Sequence, residues 1–512
     1  MLESIANTKT GAKQGDDPSG RAYILAIDIG TSAVKVSLIR PDLTVVADTD
    51  RACETHYPFP GAAEQNPEDW WHAACDASRE LVHDAPEAMA RVAVIGLSGH
   101  MLGLLPVDAE GRALHPHLIH ADHRAAEEEA EIREHIGDAE FYRIGGNVLS
   151  PASTLVKTLW LKRRKPEIYA HTHAILQSKD YMLLKLCGQF STDYSDASHG
   201  SLLNLRERSY ATELMRTLGL DPAKFPRLHA SHEIVGRLSA TAAEALGIAE
   251  GIPVAAGAGD GACANMGAGL SRDGDIYCSM GTTAWIAYNS AEPYFDPRRR
   301  VYTILSMDGK KSCITGAMQS AGRAVDWALR LLDLDSPRAL DELASTVGPG
   351  SDGLIFLPYL EGERSPIFDT AARGVFFGID IKHGKAHFAR AVLEGVAFAL
   401  QSILAIREEQ IPVQDLRMIG GGAKSPVWLQ IIADICQHDL VKLQLPAAAV
   451  TSLGAAIAAA VGAGLLPSYE AATAQIRVGE RIPYRPEQAR LYELGRRRYA
   501  ALYPALKTIY AR

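Results

Sequence analysis

Along the chain, short apolar runs of strand character alternate with longer stripes of helical period, the pattern of an α/β protein. Two pairs of strand-like runs stand out. Ile24–Ile27 and Val34–Ile39 flank Asp28-Ile29-Gly30-Thr31-Ser32; Ile276–Cys278 and Ala284–Ala287 flank Ser279-Met280-Gly281-Thr282-Thr283, about 250 residues later. Each pair predicts a hairpin with Gly-Thr-Ser/Thr at its tip. A β-type run over Val92–Leu97 leads into Ser98-Gly99-His100-Met101-Leu102-Gly103, which predicts a strand tip opening onto a cleft, where α/β proteins place ligands. Helices are predicted from Pro67 to about His83, with Asn66 as cap and acids in the first turn, and over Asp122–His135, Ala321–Leu332 and Lys385–Glu409. The Asp122–His135 segment reads as a charged surface helix whose start faces the cleft.

The glycine-rich stretch Gly251–Gly261 ends a short strand and marks the strongest boundary. It divides residues 22–262 from 263–512, and the polar residues 1–21 read as a disordered tail without the apolar core of a signal peptide. Two α/β halves that each contain the same hairpin form an internal repeat.

Composition narrows the partners. At 512 residues and 47% hydrophobic the chain supports two or three well-buried cores. A net charge of -9 argues against nucleic acid or an anionic membrane. Seven cysteines stand singly, with no Cys-x-x-Cys pair, as expected of reduced thiols in a cytoplasmic protein. The uncharged stretch Leu443–Tyr469 is rich in alanine and glycine and is interrupted by Pro446, Thr451 and Ser452, so it predicts a closely packed buried helix rather than a membrane span.

One Gly-Thr-Ser turn is weak evidence, but two at domain-length spacing imply a nucleotide held between two domains. Glycine lets backbone approach phosphate oxygens, amides and hydroxyls donate to them, and Asp28 at a strand end suits a magnesium ion held through water.

The ordered set of the Asp28 hairpin, Gly259-Asp260, Ser279–Thr283, Leu357–Pro366 and Gly420-Gly421-Gly422-Ala423-Lys424-Ser425 resembles the FGGY carbohydrate kinases, most closely the xylulokinase branch, over roughly Tyr23–Tyr503. The resemblance implies two actin-like, ribonuclease-H-like domains around a central cleft, ATP with magnesium, and phosphate transfer to a hydroxyl of a small sugar or polyol, a ketopentose first. It makes Asp260 the general base, which alone would read as a turn aspartate between glycines, and Asp28 with Asp260 the magnesium side. Gly30, Thr31, Ser32 and Lys35 on one wall and Gly281, Thr282 and Thr283 on the other would hold phosphates. Lys35 reads equally as a solvated strand lysine. Gly420, Gly421, Gly422, Lys424 and Ser425 would line the adenosine pocket. Glu361, Glu363 and Arg364 read as an ion-pair network at the domain interface.

On the sugar side the match loosens. His100-Met101-Leu102-Gly103 stands where the branch shows Gln-Met-His-Gly, His120-Ala121-Asp122 where it shows Trp-Asn-Asp, and Asp260-Gly261 where it shows Asp-Asn. His100, Met101, Leu102, Asp122, Arg124 and Asp260 are the acceptor candidates. Leu102 cannot make the hydrogen bonds of an imidazole, so an acceptor other than D-xylulose is expected. Kinases of an aldonate, tetritol or branched sugar remain open alternatives, and so does a homodimer. A catalytically silent sugar sensor and an actin-like or chaperone-type ATPase are the competing classes; the latter needs no carboxylate base beside a polyol pocket.

Overall fold

Both hairpins form, and each seeds a seven-stranded mixed sheet. The computed structural model describes residues 22–510 apart from 411, 412, 414 and 446–448; the tail expected over residues 1–21 lies outside the described residues. In the first sheet the path runs Ile234–Arg237, Pro253–Ala255, Val92–Gly99, Tyr23–Ile29, Ala33–Ile39 and Val45–Ala52, with Ala258–Gly259 added to the end of Val92–Gly99. In the second it runs Tyr302–Leu305, Ser312–Met318, Ala284–Ser290, Ile276–Met280, Asp415–Ile419, Asp439–Leu443 and Val478–Ile482.

The logic of the two paths is the same. Antiparallel strands run outward from the hairpin, three in the first sheet and four in the second; on the other side of the hairpin's first strand two strands follow in parallel, and an antiparallel edge strand closes that side. The repeat visible in two short turns therefore extends to whole domains of the actin-like, ribonuclease-H-like kind. Local signals hold at several ends. Asn66 caps Pro67–Asp84 by accepting from the Glu68 amide at 3.3 Å. Helices also occupy Gly322–Leu332 and Lys385–Glu408 as expected. The charged helix starts later than expected, at Ala126, because Asp122 is spent in a turn and accepts from Ala63 and Arg124.

Two apolar helices explain their composition through packing. Lys385–Glu408 is the one described helix long and apolar enough to cross a membrane, and it is mostly buried in the core of the second half. Among the described residues of the charge-free stretch the helix is Val450–Gly462, and it packs mainly on Tyr23–Ile29, Val92–Gly99 and Asp260–Gly267 of the first half, while Val450 at its start joins Tyr277 and Ala287 of the second. A Cβ on Gly454 would lie 1.9 Å from the Cys263 carbonyl oxygen, so small residues are what permit this contact. All seven cysteines are free thiols.

Candidate active site

At the tip of the first sheet three chain segments lie side by side. Asp28 is in register with Ser98 on the parallel neighbour, and Gly259 with Gly99 on the same strand. Asp260 follows at once, as the first residue of the helix Asp260–Gly267 rather than in a free turn. Burial, and then the negative charge of Asp28, push the Asp260 carboxyl up to about 7, against a 2.7 Å hydrogen bond donated by the Gly261 amide to Oδ1. Burial raises Asp28 as well, opposed by Ser98 and Lys35, and its Oδ1 is buried without a hydrogen-bond partner. A carboxyl that titrates near neutrality in a cleft is suited to take and release a proton. An orphaned carboxylate oxygen beside it, in a pair whose charges repel, is a donor set that a divalent cation fits.

The second tip opens onto a cavity of about 750 Å³. Gly281, Thr282, Gly421, Gly422, Lys424 and Ser425 line it, with Val325, Leu340, Leu393 and Trp428 as apolar wall and Asp326, Asp341 and Glu342 as polar groups. The turn is held from behind: the amides of Ala321 and Arg323 donate to the Thr282 carbonyl and that of Gly322 to Gly281, at 3.0–3.1 Å. Ser425 caps Pro426–Cys436 by accepting from the Trp428 amide at 3.0 Å. The three glycines separate into two uses. Gly420 has φ +95° and a Cβ there would meet the Met280 carbonyl oxygen at 2.5 Å, and one on Gly422 would meet Met280 Cβ at 2.9 Å, so both serve packing on the hairpin. Gly421 faces open space. Thr283 lines the smaller cavity described below instead.

At the first tip the backbone closes on itself through Gly30 N–H to the Ala33 carbonyl at 3.0 Å, and Gln65 donates to the Thr31 carbonyl at 2.6 Å. Ser32 is exposed. Lys35 lies 3.8 Å from Asp48 and within charge reach of Asp28.

A second cavity, of about 180 Å³, lies between the halves next to Asp260. Met101, His199 and Gly261 form one wall; Thr283, Trp285, Tyr302, Thr315 and Arg364 form the other. His199 stacks on Tyr302 with ring centroids 5.3 Å apart. Burial pushes the Tyr302 phenol up to about 12, against Arg364, so it is a protonated donor at neutral pH. Of these, Met101 and Thr283 were expected at the site, whereas sequence reasoning missed His199, Trp285, Tyr302 and Thr315. Arg364 was in view but assigned to an interface network; in the structure Glu361 pairs with Arg323, while Glu363 accepts backbone amides of Gln319 and Arg364.

The acceptor candidates divide. Met101 reaches the small cavity. Leu102 is half-buried with φ +62°. His100 turns away: only 1% exposed, its ring packs edge-on against Trp70 and His117 at 5.3 and 5.0 Å, and burial lowers it to about 3. The contact with acceptor expected of its imidazole is replaced by packing, because residues alternate in direction along the strand end. Asp122 is fully buried and spends its carboxylate on the Ala63 amide at 2.7 Å and on Arg124, which also pairs with Glu64 at 2.7 Å. Here these two residues hold each other rather than face the cavity.

Paired ribonuclease-H-like sheets, a nucleoside-sized cavity at one tip and a carboxylate pair at the other define a two-domain phosphotransferase of the actin-like class. Sequence models of the FGGY family of carbohydrate kinases match both halves, the N-terminal domain over residues 23–267 and the C-terminal domain over 276–463. The chain belongs to the FGGY family of carbohydrate kinases, whose members use ATP as phosphate donor. It is 33% identical to the xylulose kinase of Bacillus subtilis (strain 168) over 492 residues, 95% of this chain and 96% of that one. It is 30% identical to the gluconokinase of the same organism over 469 residues, 89% and 90% of the two chains. The crystal structure of xylulose kinase from Rhodospirillum rubrum matches it with a TM-score of 0.89 at 30% identity, over 96% of this chain and 100% of that one.

Proposed function

We propose that this chain is a cytoplasmic, magnesium-dependent kinase that transfers the γ-phosphate of ATP to a hydroxyl of a small sugar, a ketopentose first. The observation that carries the reading is Asp260. Its carboxyl is poised near neutrality beside a small cavity walled by both halves, and Thr283 of the second Gly-Thr tip lines that same cavity. In this reading the second tip and Gly421, Lys424 and Ser425 hold the nucleotide, and Gly30, Thr31, Ser32 and Lys35 face its phosphates from the first half. Asp260 accepts the proton of the attacking hydroxyl as it moves in line on the γ-phosphate. Met101 and Leu102 bound the acceptor, and Asp122 with Arg124 stiffen the loop beneath it.

Asp28 and Asp260 would hold the magnesium ion, which supplies charge neutralisation of the phosphates. Among the described residues there is no cluster of three or more metal-ligating side chains, so phosphate and water would complete its shell. Domain closure would then exclude water and limit ATP hydrolysis.

Arg364 on the cavity wall favours a second reading, a sugar acid whose carboxylate pairs with the guanidinium, in line with the resemblance to a gluconokinase. The test is a screen of D-xylulose, other ketopentoses, tetritols, D-gluconate and glycerol for acceptor-dependent ADP release. A neutral ketose with the highest kcat/KM supports the first reading, and D-gluconate the second. Release of ADP that no acceptor stimulates would sink both.

A further inference from the structure

Two loops carry the acceptor candidates, His100–Gly103 and the turn Ile119–Asp122. They meet at one side chain. Lys157, in the helix Thr154–Arg164, is fully buried and its Nζ donates to the carbonyl of Leu102 at 2.8 Å and to that of Ile119 at 2.6 Å. The other end of the Leu102–Gly103 peptide unit is held too: the Gly103 amide donates to Gln177 Oε1 at 2.7 Å. Gln177 in turn donates from Nε2 to Thr154 Oγ1 at 2.9 Å, on the helix that carries Lys157. Lys157 thus holds one polar atom of this peptide plane directly, and the other is held by Gln177, the N-cap of Ser178–Cys187, which is itself tied to the helix of Lys157.

That plane follows Leu102, whose φ of +62° is a left-handed conformation that leucine rarely adopts. The next residue has no freedom either, because a Cβ on Gly103 would fall 2.0 Å from His117 Nε2. Among the described residues no carboxylate lies within ion-pair distance of Lys157, and burial pushes its ammonium down to about 7 despite the attraction of Asp122. An ammonium buried on carbonyls alone is a costly way to stabilise a fold, which points to a role for its hydrogen bonds in fixing the two loops.

We propose that Lys157 is a positioning residue for the acceptor: with Gln177 it clamps the Leu102–Gly103 peptide and ties it to the Ile119–Asp122 turn, which fixes the direction of Met101 and Leu102 at the cavity. The inference rests on the kinase reading for its kinetic consequence but not for the clamp itself.

The test compares Lys157→Met and Gln177→Met with the wild type. D-xylulose, D-gluconate and glycerol serve as acceptors, and hydrogen exchange is followed along the whole chain without ligand, with residues 99–104 and 119–122 as the two loops of interest. The clamp predicts an acceptor KM raised by about tenfold or more, an ATP KM within about twofold, and faster exchange confined to the two loops. If Lys157→Met does not fold, Gln177→Met must show the same acceptor-selective pattern alone. Wild-type exchange over 99–104, or equal rises in the KM of ATP and acceptor, would overturn the proposal. If the wild type phosphorylates none of the three probes, the kinase reading loses its support for them, while the exchange measurement still decides the clamp.

Discussion

In the first half the turn at the hairpin tip follows Asp28; in the second, the residue at the same place is Ser279. The strands around the two turns pair in the same order, so the backbone device is one device used twice. What differs is the charge it carries and the neighbour it meets. Asp28 is half-buried beside Asp260 and raises its proton affinity. The second tip carries no acid and opens onto the 750 Å³ cavity with its apolar wall. On the proposed reading, a duplicated turn is divided into a charged side that manages a proton and a neutral side that admits a nucleoside, through one side chain and whatever packs beyond the tip.

The comparison breaks most sharply at Asp260. Asp260→Asn is expected to lower kcat by about 100-fold to 10,000-fold while ATP affinity, measured by calorimetry, changes little. The melting temperature at pH 8 is expected to rise. A carboxyl raised from 3.8 to about 7 destabilises the fold increasingly as pH climbs between those values, and the penalty is complete above the upper one. The neutral amide removes it. Normal turnover in a folded variant would take Asp260 out of the base role.

On the neutral side, two adjacent glycines sharpen the contrast. Gly420→Ala meets the Met280 carbonyl and a left-handed φ, so it is expected to destabilise the protein by roughly 1–3 kcal/mol, read by denaturant unfolding. Gly421→Ala meets nothing within 4 Å, so it should leave stability unchanged and weaken ATP binding instead. Equal losses of stability in both variants would show that the second tip is packing alone.

The smallest effect is in pH dependence. With a base near 7, kcat/KM for the acceptor should fall as pH drops below about 7. In Asp28→Asn the residual activity should keep this limb but at lower pH, by roughly one unit, because the like charge that holds the proton on Asp260 is gone. A limb at unchanged pH would separate the two carboxylates.

The hairpins, the Asn66 cap and the buried character of the alanine-rich helix were legible because each is a local matter of period, turn chemistry or side-chain size. The partner of that helix was not. Nothing in residues 450–462 says that they pack on a sheet some 350 residues earlier in the chain, and only the glycine contacts show it. Asp122 and Arg124 were visible as an acid and a base two apart, while the Ala63 amide and Glu64 that occupy them come from a distant loop. His100 and Met101 illustrate the finer limit: the residue types were plain, but that Met101 and not His100 lines the cavity depends on how the strand end turns.

The sequence by itself determined that the chain is an α/β protein with the same Gly-Thr hairpin in each half, since that follows from periodicity and glycine placement, while the order of its motifs carried the family resemblance that singled out Asp260. The tertiary structure alone decided that Asp28 and Asp260 share one electrostatic environment, that Arg364 and Tyr302 face the cleft, and that Lys157 joins the two acceptor loops. Burial, proton affinity and the pairing of polar groups are properties of segments brought together from far apart in the chain, and no local pattern encodes them.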